Sequence, residues 1–236
     1  MFDSSAVRAR LADVRARIER AAGRVGRDPA SIRLVAVSKT FPAEAVRAAA
    51  DAGQIDFGEN KVQEALDKIA RTPDLPLRWH LVGHLQSNKA RKTGRFDVIH
   101  SIDDAPLMAK VDDAARAAGR TIDLLVQVDL AGETTKHGAR EDQLVDILQA
   151  ARTLRATRVV GLMLLPPAVD DPQQARPFFT ELRAVRDRLV ARGVDHSLLQ
   201  QLSMGMSHDF EVAVEEGSTM VRVGTAIFGG RTYAHP

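Results

Sequence analysis

Lys39 ends the run Ile32-Arg-Leu-Val-Ala-Val-Ser-Lys39, an ammonium group set after a mostly apolar segment. In a partly dry pocket an ammonium is disfavoured, and the neutral amine can then attack a carbonyl carbon. The competing explanation is a solvated lysine that punctuates a strand, as most lysines are solvated. Two further groupings bear on the choice. Ser203-Met-Gly-Met-Ser207 and Gly224-Thr-Ala-Ile-Phe-Gly-Gly230 are turns rich in small residues. Gly205 and Gly224 permit close backbone approach, and Ser203 and Thr225 offer hydroxyl donors, a combination suited to phosphate. Taken singly, Ser207 would be a helix N-cap, Gly217 a helix C-cap and Gly229-Gly230 a chain-end turn. The third element is Arg222. Strand alternation puts Met220, Arg222 and Gly224 on one face and Val221 and Val223 on the other. The valines suit a helix-facing side, so Arg222 points inward, where a guanidinium needs acceptors. A structural ion pair would supply them, and Glu59 is the candidate.

These residues meet only if the chain folds in a particular way. The pattern predicts strands over Ile32–Lys39, Gln54–Asn60, Arg78–Gly83, Asp97–Ser101, Thr121–Asp129, Arg158–Met163, Leu198–Ser203 and Thr219–Gly224. Helical stretches alternate with them, including Pro42–Asp51, Ala105–Ala118, Glu141–Ala151, Gln173–Arg192 and His208–Glu216. An amphipathic helix with Val7, Leu11, Val14 and Ile18 on one face precedes the first strand. Eight strands alternating with helices predict an α/β fold, a (β/α)8 TIM-type barrel with an extra N-terminal helix. A doubly wound sheet would carry a glycine-rich loop after its first strand, where this chain has Thr40-Phe-Pro. No linker divides residues 1–236, so one domain is expected. In a barrel, strand C-termini converge on one mouth. That brings together Lys39, Asn60, Gly83, His84, Ser101, Asp103, Asp129, Leu165, Ser203, Gly224 and Thr225.

Composition narrows the chemistry. Cysteine is absent, which removes disulfides, thiolate metal sites and cysteine nucleophiles. Thirty-three Lys and Arg against 31 Asp and Glu give a formal charge of +2, too slight an excess to argue for nucleic acid. The basic stretch Asn88–Arg95 has no interleaved aromatic residue and reads as a solvated helix face, with a secondary phosphate or cofactor site left open. No apolar run has the length of a membrane span or the pattern of a signal peptide, so a soluble, cytoplasmic protein is expected, with no membrane partner. His80 and His84 sit four residues apart on or just past a strand, about 13 Å, too far to share one metal ion. No metal is expected from that pair.

An imine-forming lysine, a phosphate cup and an inward arginine together suggest pyridoxal 5'-phosphate (PLP). The sequence also resembles the pyridoxal phosphate homeostasis protein family. The resemblance rests on Val37-Ser-Lys39, Phe57-Gly-Glu-Asn60-Lys-Val-Gln-Glu64, Trp79-His-Leu-Val-Gly83, Leu85-Gln-Ser-Asn-Lys89, Leu202-Ser-Met-Gly-Met-Ser207 and Gly217-Ser-Thr-Met-Val-Arg-Val-Gly-Thr-Ala-Ile-Phe-Gly229. It implies the barrel domain of the alanine racemases, standing alone. It also implies that Lys39 carries PLP as a covalent aldimine, that Ser203, Gly224 and Thr225 hold the phosphate, that Arg222 faces the pyridine nitrogen, and that Asn60 lines the site. One departure is visible: His84 stands where the family pattern has proline.

The expected role is to hold and deliver PLP in vitamin B6 homeostasis without robust turnover, as a monomer meeting apo PLP-dependent enzymes transiently. An arginine at the ring nitrogen makes the cofactor a weaker electron sink. In alanine racemases a second domain supplies a tyrosine as the opposing proton carrier. Here Tyr233, near the end of the sequence, is the only tyrosine. The alternative expectation is a PLP-dependent amino-acid racemase of weak activity.

Overall fold

The computed structural model describes residues 4–132 and 137–230, so Tyr233 lies outside the described residues. Eight parallel strands close into a barrel in sequence order. They are β1 (Arg33–Val37), β2 (Asp56–Glu59), β3 (Arg78–Leu81), β4 (Val98–Ile102), β5 (Ile122–Val128), β6 (Thr157–Leu164), β7 (Gln201–Met206) and β8 (Met220–Val223). β8 pairs back onto β1, with Arg33 beside Met220 and Val35 beside Arg222. The outer ring comprises α2 (Ala43–Asp51), α3 (Val62–Arg71), α4 (Ala105–Ala117), α5 (Glu141–Ala150), α6 (Arg176–Ala191), α7 (Phe210–Glu215) and α8 (Thr225–Phe228), which follow α1 (Ser4–Arg24). A 3-10 turn, Ser87–Lys92, stands between β3 and β4. The expected barrel is therefore present, with its extra front helix.

That helix completes the ring. α8 has only four residues, too few to cover the outer face of β8 and β1. α1 packs against α2, α7 and α8 and fills the gap. Its buried residues, Val7, Leu11, Val14, Ile18, Ala21 and Ala22, recur at spacings of three and four and form one apolar stripe. Its arginines reach sideways. Arg15 donates to the Ala52 carbonyl, and Arg17 lies over the Phe210 ring while pairing with Glu211. No helix among the described residues is long and apolar enough to cross a membrane.

Inside the barrel the filling is mixed. Val35, Val37 and Val82 form one apolar cluster, and Val98, Leu125, Met163 and Met220 another. The remaining interior is polar, with His80, His100, Ser203 and Arg222 all buried. Barrel interiors are usually filled by branched aliphatic residues, so this polar column marks where the fold has been given over to something besides packing.

The largest boundary error falls on β7. Leu198 and Leu199, where the sequence pattern predicts strand, belong to a 3-10 turn, His196–Leu199, capped by the Asp195 carboxylate on the Ser197 N–H. An apolar Leu-Leu pair suits either element, and the Asp195 cap decides for the turn. The strand begins at Gln201, so Ser203 lies within it and not at its end.

Leu11 is fully buried in the stripe that seats α1. Leu11→Ala should lower the unfolding free energy by about 3 kcal/mol in urea denaturation. A loss below about 1 kcal/mol would mean that α1 is not integral to the core.

Candidate functional site

Lys39 stands two residues beyond β1 at the C-terminal mouth and is half-buried. Its position is fixed from behind. Ser38 donates its hydroxyl to Glu59 Oε1 at 2.6 Å, and Lys68 on α3 donates to the same oxygen at 2.6 Å and to the Ser38 carbonyl at 2.7 Å. Lys68 also pairs with Glu64 at 2.9 Å, and Glu64 accepts the Thr40 N–H at 2.6 Å. Thr40 has φ +69°, a left-handed conformation that a β-branched residue adopts only when its surroundings hold it there. The turn carrying Lys39 is thus clamped on both sides by one buried ionic cluster.

This overturns the expected pairing of Glu59 with Arg222. Alternation on β2 sends Glu59 and Phe57 towards the helices, and Gly58 faces the barrel interior against Val35 and Val37. Glu59 is on the wrong face to meet Arg222. Burial pushes its carboxyl up to about 7, against the pull of Lys68.

Arg222 is in the interior, as the alternation predicted, and is 3% exposed. Its partners are Ser203 Oγ at 2.6 Å and the Leu164 carbonyl at 2.8 Å. Burial pulls the guanidinium down to about 10, opposed by Asp209, so it remains a cation at neutral pH. Ser203 is one link in a longer chain. His100 Nδ1 lies 2.8 Å from Ser203 Oγ, His100 Nε2 lies 2.9 Å from His80 Nδ1, and His80 Nε2 lies 2.9 Å from Asp56 Oδ1. Burial raises the Asp56 carboxyl, but His80, Arg33 and Arg78 outweigh it and the net shift is downward. Burial lowers both imidazoles, His100 well below its ordinary value. An ionised Asp56 and two neutral rings leave one consistent direction for the hydrogens. Arg222 donates to Ser203, Ser203 to His100, His100 to His80, and His80 to Asp56. The column runs from the mouth to the opposite end of the barrel.

Ser203, expected as a phosphate ligand, lies inside the barrel and not among the residues that line the cavity at its mouth. Its hydroxyl is fully buried and engaged with His100 and Arg222. Ser207 is the serine of this segment that lines the cavity. Ser207 Oγ accepts the N–H groups of Gly224 and Ala226 at 3.0 and 3.3 Å, which ties the loop after β7 to the turn after β8. Ser207 is also not the cap of α7. That position belongs to Asp209, whose carboxylate accepts the Met206 N–H. Gly205 has φ +93°, and a Cβ there would meet Ala213 Cβ at 2.5 Å, so the glycine lets β7 turn against α7.

A cavity of about 500 Å³ opens between these groups. Lys39, Asn60, Arg222, Gly224 and Thr225 all line it, as the sequence placed them. Val37, Val82, Leu165 and Met206 give it apolar walls, and Ser207, His84 and His208 complete the polar set. Gly83 brings the wall after β3 close to Asn60, where a Cβ would lie 2.4 Å from the Asn60 carbonyl oxygen. The arrangement offers an amine on one side, hydroxyls and a glycine turn on another, and a fixed cation at the floor. It is suited to a flat anionic carbonyl compound with a ring acceptor. The rear cluster of Lys68, Glu59 and Glu64 was missed in the sequence. Its only trace there is the i,i+4 pair Glu64–Lys68 on an otherwise apolar helix face.

The family described as the N-terminal domain of alanine racemase matches residues 9–232. The chain is 42% identical over 234 residues to the pyridoxal phosphate homeostasis protein of Pseudomonas aeruginosa, covering 98% of this chain and 99% of that one. It is 41% identical over 225 residues to the protein of the same name in Aquifex aeolicus, covering 95% and 98%. Among solved structures, PipY of Synechococcus elongatus with PLP bound matches with a TM-score of 0.83 at 40% identity, over 94% of this chain and 100% of that one.

Replacing Lys68 by methionine should expose the logic of the rear cluster. Glu59 has a raised pKa in the folded chain, so its contribution to stability is fully present below its ordinary value of 4.5 and is lost as pH rises through about 7. Without the Lys68 cation that pKa climbs further. Lys68→Met should cost about 3 kcal/mol in urea denaturation at pH 8. The loss should be clearly smaller at pH 5. Equal losses at the two pH values would show that the pair does not act through Glu59 charge.

Proposed function

The chain belongs to the pyridoxal phosphate homeostasis protein family, and on that premise we propose that its barrel mouth binds PLP, held covalently by Lys39. The observation that carries the reading is the convergence of Lys39, Thr225, Ser207 and Arg222 on one cavity. An amine, phosphate-compatible hydroxyls and a buried guanidinium are the three groups that the aldehyde, phosphate and ring nitrogen of PLP require. When bound, the cofactor supplies an electrophilic aldehyde and a ring that withdraws electrons.

The protein's own residues do the rest. Lys39 Nζ is the amine, placed by the Lys68 cluster. Ser207, Gly224 and Thr225 take the phosphate, with Ser207 in the part the sequence assigned to Ser203. Arg222 meets the ring nitrogen as a fixed hydrogen-bond donor. Its charge discourages protonation of that nitrogen and so restrains the ring as an electron sink. Asn60 and the apolar walls of Val82, Leu165 and Met206 confine the ring.

Restraint of that kind favours a carrier that stores and releases PLP in cofactor homeostasis over an enzyme with robust turnover. The shared name of the relatives supports the same reading. Apo PLP-dependent enzymes are then its transient partners, met by a monomer in the cytoplasm.

Spectral titration with PLP tests this. The wild-type protein should develop a visible band that saturates at one equivalent, and Lys39→Ala should develop none. Thr225→Val should keep the band but weaken binding by roughly tenfold, the loss of one hydrogen bond to a charged group. A band that persists in Lys39→Ala would refute the assignment.

A further inference from the structure

His84 lines the cavity but is not used by the PLP reading. It stands in the loop after β3, and Asp103 stands in the loop after β4. His137 stands in the segment between β5 and α5. Three consecutive strand-to-helix connections thus bring two imidazoles and a carboxylate to the rim of the mouth. One ligand atom from each residue lies within 4.8 Å of the other two. The two rings are stacked, with centroids 3.4 Å apart and planes at 8°.

We propose that His84, Asp103 and His137 form a binding site for one divalent transition-metal ion at the rim of the barrel mouth. The stack itself argues for available donors. The ring nitrogens lie at the ring edges, so a stack made face to face leaves them outside the contact between the two rings. The Asp103 carboxylate supplies the third donor beside the two rings. A cation between them would neutralise it.

The donor set selects the ion. Two imidazole nitrogens and one carboxylate oxygen suit zinc, cobalt or nickel, whereas calcium and magnesium prefer all-oxygen sites. Bonds of about 2.0–2.1 Å in a tetrahedron set ligand atoms about 3.3 Å apart. Reaching that from 4.8 Å needs the two exposed rings to rotate out of their stack. Three protein ligands leave at least one coordination position for water or a small anion. His80 takes no part, since it is buried and tied to Asp56 and His100. His84 also lines the cavity, so the ion would pin three loops beside it.

The site can be tested without PLP. Chelator-stripped, cofactor-free protein is titrated with zinc by calorimetry and with cobalt by visible absorption, with far-UV circular dichroism confirming the fold of each variant. The expected result is a single zinc equivalent of micromolar or tighter affinity, with a cobalt band typical of four or five ligands. His137→Ala and Asp103→Asn should each weaken zinc binding at least tenfold and abolish the cobalt band. In the wild type, zinc should also shift the ring-proton resonances of His84 and His137 and leave those of His80 and His100 unmoved. No saturable binding, or variants that bind as the wild type does, would overturn the proposal and leave the stack as a contact between loops. Because no cofactor is present, failure here is separable from failure of the PLP assignment.

Discussion

A guanidinium buried inside a closed parallel barrel is the constraint on which the rest of the site depends. An isolated charge there would be prohibitively costly, so Arg222 has to be given acceptors and a compensating field. It receives the Ser203 hydroxyl and the Leu164 carbonyl, and Asp209 supports its charge. Ser203 can accept from Arg222 and still donate because His100 accepts from it, and that ring is oriented in turn by His80 and Asp56. Each member leaves the next with one hydrogen-bonding option, so a cation at the mouth is fixed by a carboxylate at the far end. Four residues, Ser203, His100, His80 and Asp56, are committed to holding one side chain in place.

Lys39 is held by different means. Its turn is set from the helix side of β1 and β2, where Lys68, Glu59, Glu64 and the Ser38 hydroxyl form a second buried ionic cluster. The two clusters lie on opposite faces of the sheet and share no member. One fixes the donor at the cavity floor and the other the amine at its edge.

Much of this was legible in the chain. Strand-helix alternation gave the barrel, and period-two alternation on β8 turned Arg222 inward. Lys39, Asn60, Gly224 and Thr225 all face the cavity, as strand ends in a barrel should. What failed did so for identifiable reasons. The Leu198-Leu199 pair has no periodicity that separates a strand from a 3-10 turn, and the resulting shift put Ser203 at the mouth in place of Ser207. Glu59 was matched to Arg222 by charge alone, although alternation on β2 places it on the other face. The histidine column and the His84–His137 stack were invisible because they join residues from different strands and loops, and only closure of the barrel brings these together.

The central claim is that Lys39, and no other lysine, carries PLP. Borohydride reduction of the PLP-loaded protein followed by peptide mass mapping tests it most directly. The account predicts a stoichiometric phosphopyridoxyl mass increment on the peptide containing Lys39, with Lys61, Lys68 and Lys89 unmodified. An increment spread over several lysines, or centred on any other one, would contradict it.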